Sequence, residues 1–456
     1  MARTDEDRIS GLLHWLAKKG ARLPALAIRH HEDGQRSACA RAHIPAGARI
    51  LEVPRRLFLS EELAKESEQG QRIAEAGVEL LDEQSWLAAF LLQEKHAAAS
   101  FWAPFLVTLP KSLHHLPFFF TPEQLALLEG SSAQRRLEVQ RRSILLDYEH
   151  LCQRVPGFER FGLPAFSWAR LTVLTRVFRL TIEGKRTRAL VPVADLFDHQ
   201  RPSEARWTYD DARKSFTLTA LKDLRPGDAI HVSYGRKGNT DLFVTYGFCL
   251  EENEDDTADV VVPAVPPEHP LVREAQALQG KDKAFRIPAR YDAEETRRLF
   301  SFLRLACAQE GEQPGAVAEP LTPGEVAPVS VRNEAAVLRA LASACEEALR
   351  RFETTLEQDE ELLRSPGLTG TGRTCLLLRR GEKRVLHAWR SLAETALPLL
   401  QGAPRASPPV ARGGAGRFAR FLAPPPAPPS APVPLLVSGG RDYLEGVVWE
   451  LVRARA

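Results

Sequence analysis

The sequence has no paired cysteine motif, no long apolar run and almost no net charge, and each lack removes a class of function. Its six cysteines, Cys39, Cys152, Cys249, Cys307, Cys345 and Cys375, are scattered, with no CxxC and no paired metal spacing. That argues against a zinc cluster or any bound metal, and for reduced, mostly buried thiols. No apolar stretch approaches the length that crosses a bilayer, and the acidic start MARTDEDRIS is not followed by an apolar signal core. The expectation is a soluble, cytoplasmic protein with no membrane partner. Its 61 basic residues nearly balance 59 acidic ones, for a formal charge of +2, so no nucleic acid is expected as a global partner. What remains is ordinary globular material: 456 residues, 44% hydrophobic and 26% charged, enough for two or three domains with a substantial core.

Thr4 is placed to cap a helix whose apolar residues Ile9, Leu12, Leu13 and Leu16 share one face. Short β-like runs then follow, separated by the turn signals EDGQ and IPAG. From Ser60 to about Leu151 the pattern is helical. It holds a polar segment over residues 60–77 and an apolar face through Trp86, Leu87, Phe90 and Leu91. Thr121 before Pro122 is a start signal, and a long charged helix runs from about Ser132 to His150. Beyond a second set of strands, residues 263–402 carry helical apolar spacing with many Glu and Arg pairs. Residues 403–434 are rich in Pro, Ala and Arg and read as an extended linker, and residues 435–456 as a closing helix.

The chain is organised around Leu190 to Phe248. Its first half, LVPVADLFDHQ, is an apolar run ending in Asp195, Asp198 and His199, more polar than an ordinary core strand needs. Its second half places Tyr234 after the alternating AIHVSY, then Gly235, Gly238 and Asn239, which suit a tight turn before DLFVTYGF. Taken singly, each half reads more readily as a strand end and a turn than as a site. Together, in this order, they resemble the C-terminal half of a SET domain of the Rubisco large-subunit methyltransferase class, which includes the actin-histidine methyltransferase. The pattern of that class, ΦxPΦxDΦxNH followed by YG and SNxExxxxYGF, is met at Pro192, Asp195, His199, Tyr234, Gly235, Asn239, Tyr246, Gly247 and Phe248. Asp198 stands where the class has asparagine.

Further matches are IPAGARILEVP from Ile44 to Pro54, SFWAPFLVTLP from Ser100 to Pro110, and Arg176 at the arginine of the class's SRxF. The glycine loop EGxGLxA matches poorly: Ser37 replaces the second glycine and Gly34 the acidic residue, although Glu32 and Asp33 stand just upstream. A loop without that glycine cannot approach a ligand so closely.

The resemblance implies an α+β fold: a SET-type β-fold split by a helical insertion, then an all-α substrate-binding domain. Its parts fall at 1–60 and 166–262 for the SET halves, 61–165 for the insertion and 263–402 for the helical domain. It implies S-adenosyl-L-methionine as cofactor and methylation of a protein substrate, bound by the C-terminal helical domain. By the same correspondence Tyr234 is the catalytic residue. Gly34, Gln35 and Arg36 contact the cofactor through the loop backbone, Asp198 and His199 contact it largely through theirs and Arg176 by its side chain, while Phe178, Asp195 and Tyr246 line the substrate side. Arg176 would hold the cofactor's carboxylate, since a guanidinium fork fits one, though a solvated helix arginine is the plainer alternative. The class's histidine-modifying member has an asparagine two residues after the arginine. Phe178 stands there, so lysine is the expected acceptor. The alternatives are a protein-histidine methyltransferase and a catalytically weak or inactive SET-derived scaffold. The sequence does not specify the substrate protein, the number of methyl groups or the oligomeric state.

Overall fold

The helix expected behind Thr4 forms over Asp5–Lys18, and Thr4 and Asp7 close a full capping box at its start. Ile9, Leu12 and Leu16 are its buried residues, one stripe at helical spacing. This is a computed structural model that describes residues 4–31, 35–279, 284–289, 294–312, 326–368 and 370–402. The expected linker at 403–434, the closing helix at 435–456 and Gly34 lie outside the described residues. The chain divides into two units, residues 1–119 with 137–236, and residues 120–136 with 237–456.

The first unit carries eight short strands among its described residues. They are β1 (Leu26–His30), β2 (Arg36–Ala40), β3 (Arg49–Pro54), β4 (Leu59–Ser60), β5 (Phe178–Ile182), β6 (Lys185–Leu190), β7 (Ala205–Asp210) and β8 (Ser215–Ala220). They form three small antiparallel sheets, β1-β2, β3-β8-β7 and β4-β6-β5. Two sheets therefore join strands from both ends of the unit, with helices between them in the chain. The β5–β6 hairpin turns on Glu183 at φ 49° and Gly184 at φ 78°. Two consecutive positive φ values make the tight hairpin turn whose twist matches its strands.

The helices between β4 and β5 include Glu61–Glu66, Glu68–Glu75, Gln84–His96 and Gly162–Arg176. The polar segment expected as one helix is two, because Ser67 leaves helical geometry and caps the second by accepting from Gly70 N–H. A Cβ at Gly70 would collide with the carbonyls of Ala64 and Lys65, so the break needs a glycine there. Phe58, Phe105, Phe158, Phe166, Phe197 and Phe216 are among the fully buried side chains that fill the core between strands and helices.

The second unit is mostly helical, with Asn239–Tyr246, Glu294–Ala306, Val331–Arg350, Leu356–Arg364 and Gly370–Gly402. Among its described residues an antiparallel pair, β9 (Thr257–Val261) with β10 (Ala284–Pro288), places one strand, β10, within the expected all-α span. Helices Val331–Arg350 and Gly370–Gly402 pack along each other, around a core that includes Leu338, Leu341, Leu386 and Trp389.

Candidate functional site

Where β6 ends, Pro192 is followed by Val193 at φ 70° and ψ −28°, a left-handed conformation. For a β-branched residue that costs about 1–3 kcal/mol, and it persists only where its surroundings enforce it. Val193 is fully buried, and the Ala194 N–H donates to the Val191 carbonyl at 3.1 Å. The chain leaves this strained residue in a single turn, Ala194–Leu196, which turns Asp195 inward.

The Asp195 side chain is 4% exposed, and its Oδ2 lies 3.4 Å from Arg176 Nε. Its other oxygen, Oδ1, is buried with no hydrogen-bond partner among the described residues. Burial pushes the Asp195 carboxyl above the ordinary range, and the charges of Arg176 and then Arg36 oppose that rise. Arg176, at the end of helix Gly162–Arg176, donates from Nη1 to Thr175 Oγ1 at 2.9 Å. Its Nη2 has no acceptor among the described residues.

Three residues on, the chain is tied to the segment that ends in Tyr234. Val232 N–H donates to the Asp198 carbonyl at 2.9 Å, Gln200 N–H to the Val232 carbonyl at 3.2 Å, and His199 pairs with Val232 in parallel register. The Tyr234 N–H then donates to His199 Nδ1 at 3.0 Å, and the two rings stack with centroids 5.1 Å apart. The Tyr234 hydroxyl donates to the Phe197 carbonyl at 2.9 Å. With its one proton committed, that oxygen offers lone pairs to anything beside it. Asp198 meets solvent, and its carboxylate has no hydrogen-bond partner among the described residues. The protein packed around it pushes its carboxyl above the ordinary value, against the charges of His231 and His31.

The structure thus brings Arg176, Asp195, Asp198, His199 and Tyr234 together through short chain connections and direct bonds. Arg36 shares the electrostatics of Asp195, but its guanidinium is spent elsewhere. It donates to Asp5 at 2.7 and 2.5 Å and to the Thr108 carbonyl at 2.9 Å. Gln35 is exposed, and its carbonyl accepts from His31 N–H at 2.9 Å where the β1–β2 hairpin closes. Phe178 opens β5, its ring edge-on to Trp207 at 5.3 Å and Phe216 at 4.9 Å. Tyr246 belongs to the second unit, at the end of helix Asn239–Tyr246, with its ring 6.1 Å from that of Phe248. Asn239 is a structural residue there: its side chain donates to the Leu250 carbonyl and accepts from the Leu250 N–H and from Asn253.

The first unit carries a separate complement for each end of a zwitterionic amino-acid group. The Nη2 of Arg176 suits a carboxylate and the side chain of Asp198 suits an ammonium, each without a protein partner among the described residues. Sequence reasoning missed two features here. Val193 gave no signal, since a valine argues against positive φ. His231 lay in plain view in AIHVSY, but its partner Glu204 is brought near only by the fold.

Comparison with known proteins follows the same division. A sequence model of the SET domain matches residues 35–235, and one for the Rubisco LSMT substrate-binding domain matches residues 267–386. The actin-histidine N-methyltransferase of Mus musculus is 26% identical over 404 residues, covering 84% of this chain and 68% of its own length. The Homo sapiens protein of that name is 25% identical over the same coverage of this chain. Among solved structures, the SET domain of LSMT bound to lysine and AdoHcy superposes with a TM-score of 0.70 at 22% identity, covering 87% of this chain and 93% of that one. Rubisco LSMT bound to AdoMet gives 0.69 at 22%, with the same coverage.

Proposed function

We propose that this chain, a SET-domain protein of the Rubisco large-subunit methyltransferase class, transfers a methyl group from S-adenosyl-L-methionine to a lysine side chain of a protein substrate. The observation that carries the reading is that two groups of opposite charge, Arg176 Nη2 and the Asp198 carboxylate, have no partner among the described residues, in the unit where Tyr234 is held over His199. Those two charges would bind and orient the amino-acid end of the cofactor. The cofactor supplies an electrophilic methyl group on a sulfonium.

Transfer to an amine is a direct displacement, so the protein's task is alignment and the placing of dipoles. Tyr234 suits that task because its hydroxyl adds no positive charge beside a sulfonium, and because its proton is already given to Phe197. Its lone pairs then accept from the incoming nitrogen. Asp195, buried with Oδ1 unpaired among the described residues, is the acceptor assigned to the substrate side. The helical domain at 263–402 would hold the protein substrate.

Lysine is favoured by Phe178, which stands in an aromatic group with Trp207 and Phe216 and offers no hydrogen bond to an imidazole. Tyr246 is assigned to the second aromatic position on the sequence match alone. The histidine reading has its own support, since the relatives at 25–26% identity are named actin-histidine N-methyltransferases. Incubating a cell lysate with isotope-labelled cofactor and mapping the modified residues by mass spectrometry separates the two. Methyllysine as the dominant product is expected. Methylhistidine with lysine untouched would replace lysine by histidine, and no transfer to any protein would sink both readings.

A further inference from the structure

Lys95 lies in the last turn of helix Gln84–His96, and its Nζ is 3.3 Å from the centroid of the Trp168 ring. Trp168, on helix Gly162–Arg176, is held in place by its indole N–H, which donates to the Pro110 carbonyl at 2.8 Å. A cation on a ring face gains electrostatic attraction but gives up part of its water. Burial accordingly pushes the Lys95 ammonium below the ordinary lysine pKa, and no carboxylate pairs with it among the described residues. Beside this pair is a cavity of about 410 Å³. Trp168, Leu92, Leu113, Ala165 and Phe119 give it apolar walls, and the His114 ring stacks on Phe119 with centroids 5.5 Å apart. Its lysines are Lys95 and Lys111, and among the described residues no Asp or Glu lines it. A second cavity of about 450 Å³ shares Lys95, Lys111 and Trp168 with the first. The one acid there, Glu94, takes the Ser100 hydroxyl at 2.6 Å. The two lysines therefore stand where the cavities meet.

We propose that the smaller cavity binds a small aromatic carboxylate, its ring body against Trp168 and Phe119 and its charged head at Lys95 and Lys111. A space of this size, with mostly apolar walls and a few placed polar groups, is the usual form of a site for a small organic molecule. The walls select the body: aromatic side chains pack an aromatic ligand edge-on or offset, whereas a free phosphate gains nothing from them. The lysines select the head. An ammonium carries donors and no acceptor, so a carboxylate supplies both the counter-charge that Lys95 lacks and charge-assisted hydrogen bonds. None of the residues lining this cavity is assigned to the methyl donor or to the methylated side chain, so the inference stands apart from the methyl-transfer reading.

Titration calorimetry of the full chain with 2-naphthoate and with its uncharged relative 2-naphthylmethanol tests it. The wild type should bind naphthoate at one site, about tenfold or more tighter than the alcohol, as a hydrogen bond to a charged group implies. Lys95→Gln removes the charge and keeps a polar side chain. It should weaken naphthoate by about tenfold and leave the alcohol nearly unchanged. Ala165→Phe fills the cavity and should weaken both. Equal affinity of the wild type for the two compounds overturns the choice of an anion, and so does an equal loss for both in Lys95→Gln. Naphthoate binding that survives both substitutions overturns the choice of cavity. No binding of naphthoate to the wild type at millimolar concentration overturns the inference whole, and this comparison needs no variant to fold.

Discussion

The N–H of Tyr234 donates to Nδ1 of His199 across 3.0 Å while the two rings stack at 5.1 Å. A ring nitrogen that accepts needs its lone pair, so His199 is neutral and carries its proton on Nε2 as long as this bond stands. The bond fixes the tyrosine's main chain and the stack fixes its ring. The hydroxyl is anchored a third way, on the Phe197 carbonyl. Tyr234 is therefore a pre-oriented acceptor, and its orientation is set by the two residues Phe197 and His199 that lead out of the Asp195 turn.

Tyr234→Phe removes only the hydroxyl. Ring stacking and the main-chain bond to His199 remain, so folding and cofactor affinity should change little. Turnover should fall about tenfold or more, equivalent to at least about 1.4 kcal/mol of transition-state stabilisation. Single-turnover kinetics beside calorimetric cofactor binding separates the two effects. Unchanged turnover would remove Tyr234 from the chemistry.

Much of this arrangement was legible in the sequence, for reasons that are local. Thr4 and Thr121 announced helices because a capping side chain needs only the next three residues. Asp195, Asp198, His199 and Tyr234 stood out because polar groups cluster where alternating apolar runs end. What was not legible depends on distant partners. AIHVSY reads as a strand, yet among the described residues it forms only isolated bridges: Ala229 with Cys39 antiparallel, Val232 with His199 and Ala205 parallel. A segment serving as a junction between neighbours has no period of its own. Arg36 reads as a loop residue that meets the cofactor through its backbone, and the holding of its guanidinium by Asp5 on the first helix is a contact between distant segments that no local pattern announces.

Asp198 tests the ammonium side of the cofactor site. Asp198→Asn keeps an acceptor oxygen and should bind the cofactor at least comparably near pH 7.5, whereas Asp198→Leu offers none and should bind much more weakly. Equal affinity in the leucine variant would show that this side chain does not touch the cofactor.

The two arginines near Asp195 should part company. Arg176→Gln removes the guanidinium whose Nη2 has no partner among the described residues, and should weaken cofactor binding by tenfold or more, about 1.4 kcal/mol. Arg36→Gln loses a half-buried pair with Asp5 and the bond to Thr108, so its effect should be a lower melting temperature. Calorimetric affinity beside thermal melting reads both. Loss of affinity in the Arg36 variant, with melting unchanged, would return Arg36 to the cofactor site.

The second unit holds a buried carboxyl group whose titration should set its stability near neutral pH. Glu382 is 3% exposed, and Oε2 accepts from the Ser132 N–H at 3.1 Å while Oε1 takes the hydroxyls of Ser132 and, at 2.8 Å, Thr240. Burial raises its pKa from 4.5 to about 7, more than the bonds from Ser132 and Thr240 lower it, and Asp256 nearby is raised likewise to about 7. A folded-state value above the unfolded one means that the protonated form is favoured in the fold. Its contribution is complete below pH 4.5 and is lost as pH rises through about 7. Glu382→Gln holds the neutral shape: its oxygen can take the Ser132 N–H, and its amide can donate to the two hydroxyls. The melting-temperature difference between glutamine variant and wild type should therefore be small at pH 5 and grow in the variant's favour up to pH 8. The opposing influence is the helix Ser132–Arg154, whose first turn favours an anion at Glu382. If the variant instead loses ground as pH rises, that helix start outweighs burial and Glu382 is ionised in the fold.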